Sequence, residues 1–190
     1  VCSSDLVSPA GRTDSGVHAS YQVVHFDSPV SRSASNWVRG ANSRLPETIS
    51  LNWAKEMPGE FHARFAALSR TYRYIMSRAE TRPSILSKSV AWVGHKIDVE
   101  AMALGCRYLI GERDFSCFRG ADCQSISPFR NVREAAFYES GELIIFEIKA
   151  NAFLLRMVRN IVGALLDIGR GKKQPEWIQL LLSDRKSTRL

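Results

Sequence analysis

The densest group of chemically versatile side chains lies in residues 10–19, whose sequence is AGRTDSGVHA. This segment carries an acid, Asp14, a base, Arg12, and a histidine. Gly11 and Gly16 flank the acid and permit the tight turns that a shaped loop requires. A carboxylate held on such a loop can act as a nucleophile or contact a ligand. The alternative is that Asp14 only hydrogen-bonds its own turn, as loop aspartates often do.

Three elements are predicted after this loop, in the order strand, helix, strand. Polar and apolar residues alternate over residues 20–26 and again over 49–53, as they do in half-buried strands. Between them, Ser33 or Ser35 is expected to cap a helix, because its hydroxyl accepts a hydrogen bond from an unpaired N–H group of the first turn. We expect these elements to support the aspartate loop.

A further strand is predicted over residues 70–76, where Tyr72, Tyr74 and Met76 share one face. Tyrosines on strands are most often packing residues with a polar tip. Without other information, Tyr72 is therefore interpreted as a half-buried side chain of the sheet.

The second half of the chain predicts a helix, a polar loop, a hairpin and a long helix. Asp98 is expected to cap the first helix, which ends before Gly111. Residues 112–130 are irregular and polar, which predicts a surface loop. Two alternating segments, 132–138 and 143–150, predict a β-hairpin.

The long helix is predicted over residues 152–168, with Asn151 as its N-cap, because apolar residues recur there at helical spacing. Arg156 and Arg159 lie off the centre of the apolar stripe. From the spacing alone, each arginine is a candidate surface charge.

The composition favours a polyanionic partner. Of 190 residues, 26 are Lys or Arg and 19 are Asp or Glu, so the formal net charge is +7. Nucleic acid fits this charge, because each phosphate contact releases condensed counterions. The four cysteines form no CxxC pair, so we expect a cytoplasmic protein with free thiols and no metal site. No apolar run approaches the roughly 18 residues of a membrane span, so no membrane partner is expected.

Four ordered sequence blocks resemble those of the TruA-type tRNA pseudouridine synthases. The similarity extends from about Val7 to about Leu182. The blocks are AGRTDSGVHA (10–19), FHARF (61–65), RTYRYI (70–75) and NAF to MVRNIVG (151–163), with FSCFR (115–119), CQS (123–125) and RNV (130–132) as a weaker block. Because the order and spacing match over several blocks, this signal is far more specific than a single motif.

The resemblance implies an α+β fold in which two ferredoxin-like halves share a largely antiparallel sheet flanked by helices. It also implies a homodimer. We expect residues 1–66 to form a truncated N-terminal half with the aspartate loop, and residues 67–190 to form a C-terminal half that is truncated at its end. The chain is interpreted as an internal fragment, because members of the family carry a strand and a helix ahead of the aspartate loop and further strand and helix at the other end. Residues 1–6 and 184–190 fit no feature of the family and are interpreted as non-native joins.

The activity implied is the isomerisation of uridine to pseudouridine at positions 38–40 of the tRNA anticodon stem-loop. The resemblance assigns the nucleophile to Asp14, its ionising partner to Arg159 and the contact with the target base to Tyr72. Arg12 and Arg119 are further candidates for substrate binding. Attack at C1′ and elimination at the ribose both stay open for Asp14. Such a reaction requires neither a metal nor a redox cofactor.

Two other functions stay open. A glycosidic-bond hydrolase also uses a carboxylate, but glycosidases pair it with a second one about 5–10 Å away, and no such partner to Asp14 is evident in the blocks. A non-catalytic tRNA-binding module would use the positive charge without turnover. Free uracil would identify the hydrolase, and binding without product would identify the module.

Overall fold

The computed structural model describes residues 7–94 and 96–184. These residues divide after Ala67 into two compact units, and each unit is described by itself. The expectation that residues 1–6 and 184–190 fit no feature of the family falls, except at Asp184, on positions outside the described residues.

The N-terminal unit is built from short elements. Strand β1 (Ser8–Pro9) pairs antiparallel with β2 (Val24–His25), and helix α1 (Ala34–Asn42) follows. Ser33 caps α1, as predicted, because its Oγ accepts a hydrogen bond from the backbone N–H of Asn36 at 3.3 Å.

Both strand predictions for this unit need correction. The strand predicted over residues 20–26 shortens to Val24–His25, because β1 offers only two residues to pair with. No strand forms over residues 49–53. There, the side-chain amide of Asn42 takes the place of a partner strand: its Oδ1 accepts from the N–H of Leu51 at 2.7 Å, and its Nδ2 donates to the C=O of Leu51 at 2.9 Å.

The C-terminal unit is built on a five-stranded sheet. Its strands are β3 (Arg70–Ser77), β4 (Ala91–Trp92), β5 (Gly111–Asp114), β6 (Phe129–Ser140) and β7 (Leu143–Ala150). Their spatial order is β4-β3-β7-β6-β5, and only the β3–β4 pair is parallel among the described strands. Helix α2 (Val99–Cys106) follows β3 and precedes β6 in the chain, and β7 lies between these two strands in the sheet, which is the split βαβ arrangement of ferredoxin-like folds. The α+β class is confirmed.

One face of this sheet packs against helices. Helix α2 is joined on that face by α3 (Met157–Gly169) and α4 (Trp177–Ser183). The inward face of β7 carries Ile144, Phe146 and Ile148, which are all fully buried. Within residues 7–94 and 96–184, no helix has the length and apolar character needed to cross a membrane.

The predicted start of the long helix is wrong. Helix α3 begins at Met157 rather than at Ala152. Asn151 does not cap it, because its Oδ1 already accepts hydrogen bonds from the N–H groups of Asn131 at 3.0 Å and Ala152 at 2.8 Å. Arg156, just before the helix, has a left-handed backbone with φ of 59°.

The segment over residues 112–130 is also less irregular than predicted. Strand β5 and a short 3₁₀ turn, Ser116–Phe118, occupy its first part. The reason is that Phe115 and Phe118 are fully buried, so this part of the segment belongs to the core. The predicted cap of α2 is confirmed, since Asp98 Oδ1 accepts from the N–H of Ala101 at 2.9 Å.

Candidate active site

The loop that carries Asp14 is anchored at both ends near the β1–β2 pair. The N–H of Ala10 donates to the C=O of Val23 at 2.8 Å. The side chain of Gln22 crosses to the loop and donates from Nε2 to the C=O of Gly11 at 2.7 Å. These bonds fix the backbone on the N-terminal side of Asp14, so the carboxylate is presented from a supported loop.

A tight turn lies on the other side of the aspartate. The backbone C=O of Asp14 accepts from the N–H of Val17 at 3.0 Å. Gly16 within this turn has φ of 79°, which an L side chain rarely adopts. The side chains of Arg12 and Asp14 are both exposed.

The second sequence block, residues 61–65, is held by the strand that supports the aspartate loop. His25 on β2 accepts through Nδ1 from the N–H of Ala63 at 3.1 Å. The His25 ring lies 4.5 Å from that of His62, which in turn stacks on Phe65 at 4.2 Å. All five residues of this block therefore contact His25 of β2 or one another.

Tyr72 occupies the helix-covered face of β3, opposite Ile148 of β7. It is half buried, and its ring meets the edge of Phe153 at 5.0 Å with an interplanar angle of 84°. This geometry orients the phenol through ring packing.

Arg119 holds its own loop together. Its Nη2 donates to the C=O groups of Cys123 and Ser125, the latter at 2.8 Å. Arg130 reaches the same loop, with its Nη2 donating to Ser125 Oγ at 2.6 Å. Both guanidinium groups thus order the backbone of residues 119–130, and contact of Arg119 with a substrate stays a prediction.

The segment before α3, residues 151–156, is named the α3 lead-in here. In this segment, the C=O of Leu155 accepts from the N–H of Gly120 at 2.9 Å, and the N–H of Leu155 donates to Cys123 Sγ at 3.4 Å. Its Phe153 contacts Tyr72, as described above. Arg159 follows in the first turn of α3, with an exposed side chain. The loop of Arg119, the ring of Tyr72 and the helix of Arg159 are therefore all joined to this lead-in.

The thiols of this unit fall into two classes. Burial raises the pKa of Cys106 to about 12, and burial is also the main reason that the pKa of Cys117 is raised to about 12. Burial acts in the same direction on Cys123, but backbone hydrogen bonds, chiefly from Leu155, together with the charge of Arg119, outweigh it and lower the pKa.

Of the site residues predicted from the sequence, Arg12 and Asp14 lie in the N-terminal unit, whereas Tyr72, Arg119 and Arg159 lie in the C-terminal unit. Within the part of the chain that the structure describes, no group of three or more His, Cys, Asp or Glu side chains could hold a metal ion.

Sequence reasoning missed two polar residues that hold these segments in place. Gln22 anchors the aspartate loop, and Asn160 donates from Nδ2 to the C=O of Phe118 at 3.0 Å. The available signals were an amide within the strand-like segment 20–26 and an amide within a largely apolar helix.

Comparison with known proteins gives a consistent set of relatives. Residues 106–190 match a family described as tRNA pseudouridine synthase. The tRNA pseudouridine synthase A of Coxiella burnetii is 51% identical over 177 residues, which is 93% of this chain and 68% of that protein. The proteins of the same name from Dechloromonas aromatica and Nitrosomonas eutropha are 48% and 49% identical, over 93% and 99% of this chain and 68% of each relative.

Proposed function

Because this chain belongs to the tRNA pseudouridine synthase A family, we propose that it isomerises uridine to pseudouridine in tRNA. The observation that carries this proposal is the 51% identity to a relative of that name across 93% of the chain. We place the target uridines in the anticodon stem-loop, at positions 38–40, as the sequence blocks of the TruA-type enzymes imply. We further propose that the protein is cytoplasmic and acts as a homodimer.

The proposed reaction balances without an added reagent. The bond between N1 of uracil and C1′ of the ribose breaks, the base turns, and a bond forms between C5 and C1′. The proton leaves C5, and N1 carries a proton in the product, so the composition is unchanged. No cofactor is required. The substrate nucleotide has to leave its stack to expose C1′, at a cost of about a few kcal/mol.

We assign the nucleophile to Asp14. Its exposed carboxylate on a loop anchored by Gln22 and Ala10 supports this role, because a nucleophile has to be accessible and held in place. Arg159 is proposed to keep this carboxylate ionised, since a nearby positive charge favours the charged form.

Tyr72, Arg12 and Arg119 complete the proposed set. Tyr72, oriented by Phe153, is proposed to contact the target base and to relay the proton from C5. The exposed Arg12 and the loop that Arg119 orders are proposed to contact the phosphates or ribose of the RNA. The net charge of +7 supports a polyanionic substrate.

The test is pseudouridine formation in an unmodified tRNA transcript, mapped by nucleotide, with Asp14→Ala beside the unchanged chain. We expect product in the anticodon arm, none with Asp14→Ala, and a tRNA Kd within about threefold of the parent, since the variant loses a reacting group but no phosphate contact. Asp27→Ala is a matched control, because Asp27 is another exposed aspartate of the same unit, and it should retain activity. Product formation by Asp14→Ala would remove the nucleophile assignment.

The same assay separates the two other functions. Free uracil in place of pseudouridine would identify a glycosidic-bond hydrolase. Binding of the transcript without any change in its nucleotides would identify an RNA-binding module. Either result would overturn the proposed isomerase.

A further inference from the structure

The first turn of α3 lacks the side-chain capping hydrogen bond that often fixes a helix start. No side chain caps it, and the residue before it, Arg156, has φ of 59°. A left-handed non-glycine residue persists only where its surroundings hold it. Arg159 lies in this turn, so whatever holds the turn also sets the direction in which the Cα–Cβ bond of Arg159 leaves the helix.

Two anchors flank Arg159 along the chain. On one side, the C=O of Leu155 accepts from the N–H of Gly120 at 2.9 Å. On the other side, Asn160 donates from its side-chain Nδ2 to the C=O of Phe118 at 3.0 Å. The two partners, Gly120 and Phe118, lie two positions apart in the chain. Phe118 is fully buried, so the carbonyl that accepts from Asn160 is fixed in the core.

The backbones at the first anchor approach closely. A Cβ placed on Gly120 would lie 3.1 Å from the O of Leu155 and 3.5 Å from the Cβ of Arg156. Glycine at position 120 therefore permits the close approach between the α3 lead-in and the loop of residues 119–130.

We infer that Asn160 is a positioning residue for Arg159 and that its bond to the Phe118 carbonyl fixes the rotation of the first turn of α3. This inference rests on the proposed function of Arg159. Neighbouring residues of a helix are related by a fixed rotation of about 100°. Holding Asn160 against the core therefore holds Arg159 on the exposed side, in one direction.

The activity test compares Asn160→Ala with Arg159→Ala and the double variant, all in the 190-residue chain. We expect Asn160→Ala to lower kcat for pseudouridine formation by about 10- to 100-fold, with KM within about threefold, because misplacing a catalytic group costs turnover rather than binding. In the Arg159→Ala background, Asn160→Ala should cause no further loss, since its effect passes through Arg159.

Asn36→Ala is the matched control, because Asn36 is a helical asparagine whose Oδ1 accepts from Arg39 Nη2 at 3.0 Å on an exposed surface. It should leave kcat unchanged. Gly120→Ala perturbs the other anchor and should reduce kcat in the same way as Asn160→Ala. An unchanged kcat for Asn160→Ala, or an equal loss with and without Arg159, would overturn the inference.

A second measurement needs no activity. In the ligand-free protein, the NMR order parameter of the Arg159 Nε–Hε bond should fall in Asn160→Ala and stay unchanged in Asn36→Ala. An unchanged value in Asn160→Ala would overturn the positioning role. If the parent chain formed no pseudouridine, the proposed function would fail, while this measurement would still decide whether Asn160 orders Arg159.

Discussion

The two units differ in how much of each is shielded from water. Among the described residues up to Ala67, only Ala63 is buried. In the C-terminal unit, by contrast, the strands and helices enclose a continuous apolar core that includes Phe146, Ile161 and Leu165. Because apolar burial is the dominant favourable term in folding, the C-terminal unit has its own source of stability. The N-terminal unit relies more on side-chain hydrogen bonds, such as those between Asn42 and Leu51.

This difference explains where sequence patterns succeeded. Alternation predicted β3, β6 and β7, where one face of each strand contacts the core. The same alternation predicted strands over residues 20–26 and 49–53, but Tyr21 and Ile49 stay exposed and the strands are short or absent there. Alternation therefore predicts a strand only where burying one face lowers the free energy.

The largest expected effect tests the core directly. Phe146→Ala should lower the free energy of unfolding by about 3–5 kcal/mol, because it removes a fully buried ring and leaves a cavity. Phe65→Ala is the matched change in the other unit, where the ring is 78% exposed, and it should cost less than about 1 kcal/mol. Urea unfolding followed by circular dichroism measures both. Equal losses would contradict the contrast between the units.

The reactivity of the thiols distinguishes the core from the loop of residues 119–130, which carries Cys123 and contacts the α3 lead-in. At pH 8, Cys123 should react with iodoacetamide at least about 100-fold faster than Cys106 or Cys117, because the thiolate is the nucleophile and only the Cys123 pKa is lowered. Raising the pH should accelerate the buried thiols steadily towards their pKa of about 12, whereas the rate at Cys123 should level off first. Mass spectrometry of each peptide measures the rates; similar rates would refute the assignment.

A pair of glycines in α3 tests how tightly the core is packed. A Cβ on Gly169 would lie 2.6 Å from Met102 Sδ and 2.8 Å from Ile97 Cγ2, whereas one on Gly163 would meet nothing within 4 Å. Gly169→Ala should therefore destabilise the protein by about 1–3 kcal/mol. Gly163→Ala should stabilise it by about 0.5–1 kcal/mol, since alanine is the better helix former. Thermal unfolding of both variants decides; a stabilising Gly169→Ala would contradict the packing.

The smallest expected effect tests the hydrogen-bonded segment of the N-terminal unit. Asn42→Ala removes both side-chain bonds to Leu51 and should lower the local stability of residues 49–53 by about 1 kcal/mol. Hydrogen exchange at Leu51 measures this change. Asn52→Ala, at an exposed neighbouring position, should leave that exchange rate unchanged, and equal protection of Leu51 in both variants would show that Asn42 does not hold the segment.

The elements that the sequence predicted correctly are those fixed by residues close together in the chain. Asp98 caps α2 through a residue only three positions away, and the β6–β7 hairpin follows from neighbouring strands. The start of α3 could not be predicted in this way, because Asn151 is engaged by Asn131 across the sheet and Arg156 adopts a conformation that its residue type does not favour.

The candidate site was predictable only in part. The residue types and glycines around Asp14 marked its loop as chemically unusual, whereas the roles of Tyr72 and Arg159 came from resemblance to a family. The role of Asn160 was not readable, because its partner Phe118 lies 42 positions away in the chain. Such a contact depends on how the chain folds back, which local periodicity does not encode.

The position of β7 between β3 and β6 has a consequence for synthesis on the ribosome. Strand β7 pairs with both neighbours, yet it follows both of them in the chain. During translation, β3, α2 and β6 therefore emerge before the strand that joins them. The sheet is complete only when β7 has left the exit tunnel. A nascent chain that ends before Leu143 therefore exposes unpaired strand edges, the kind of surface that chaperones bind.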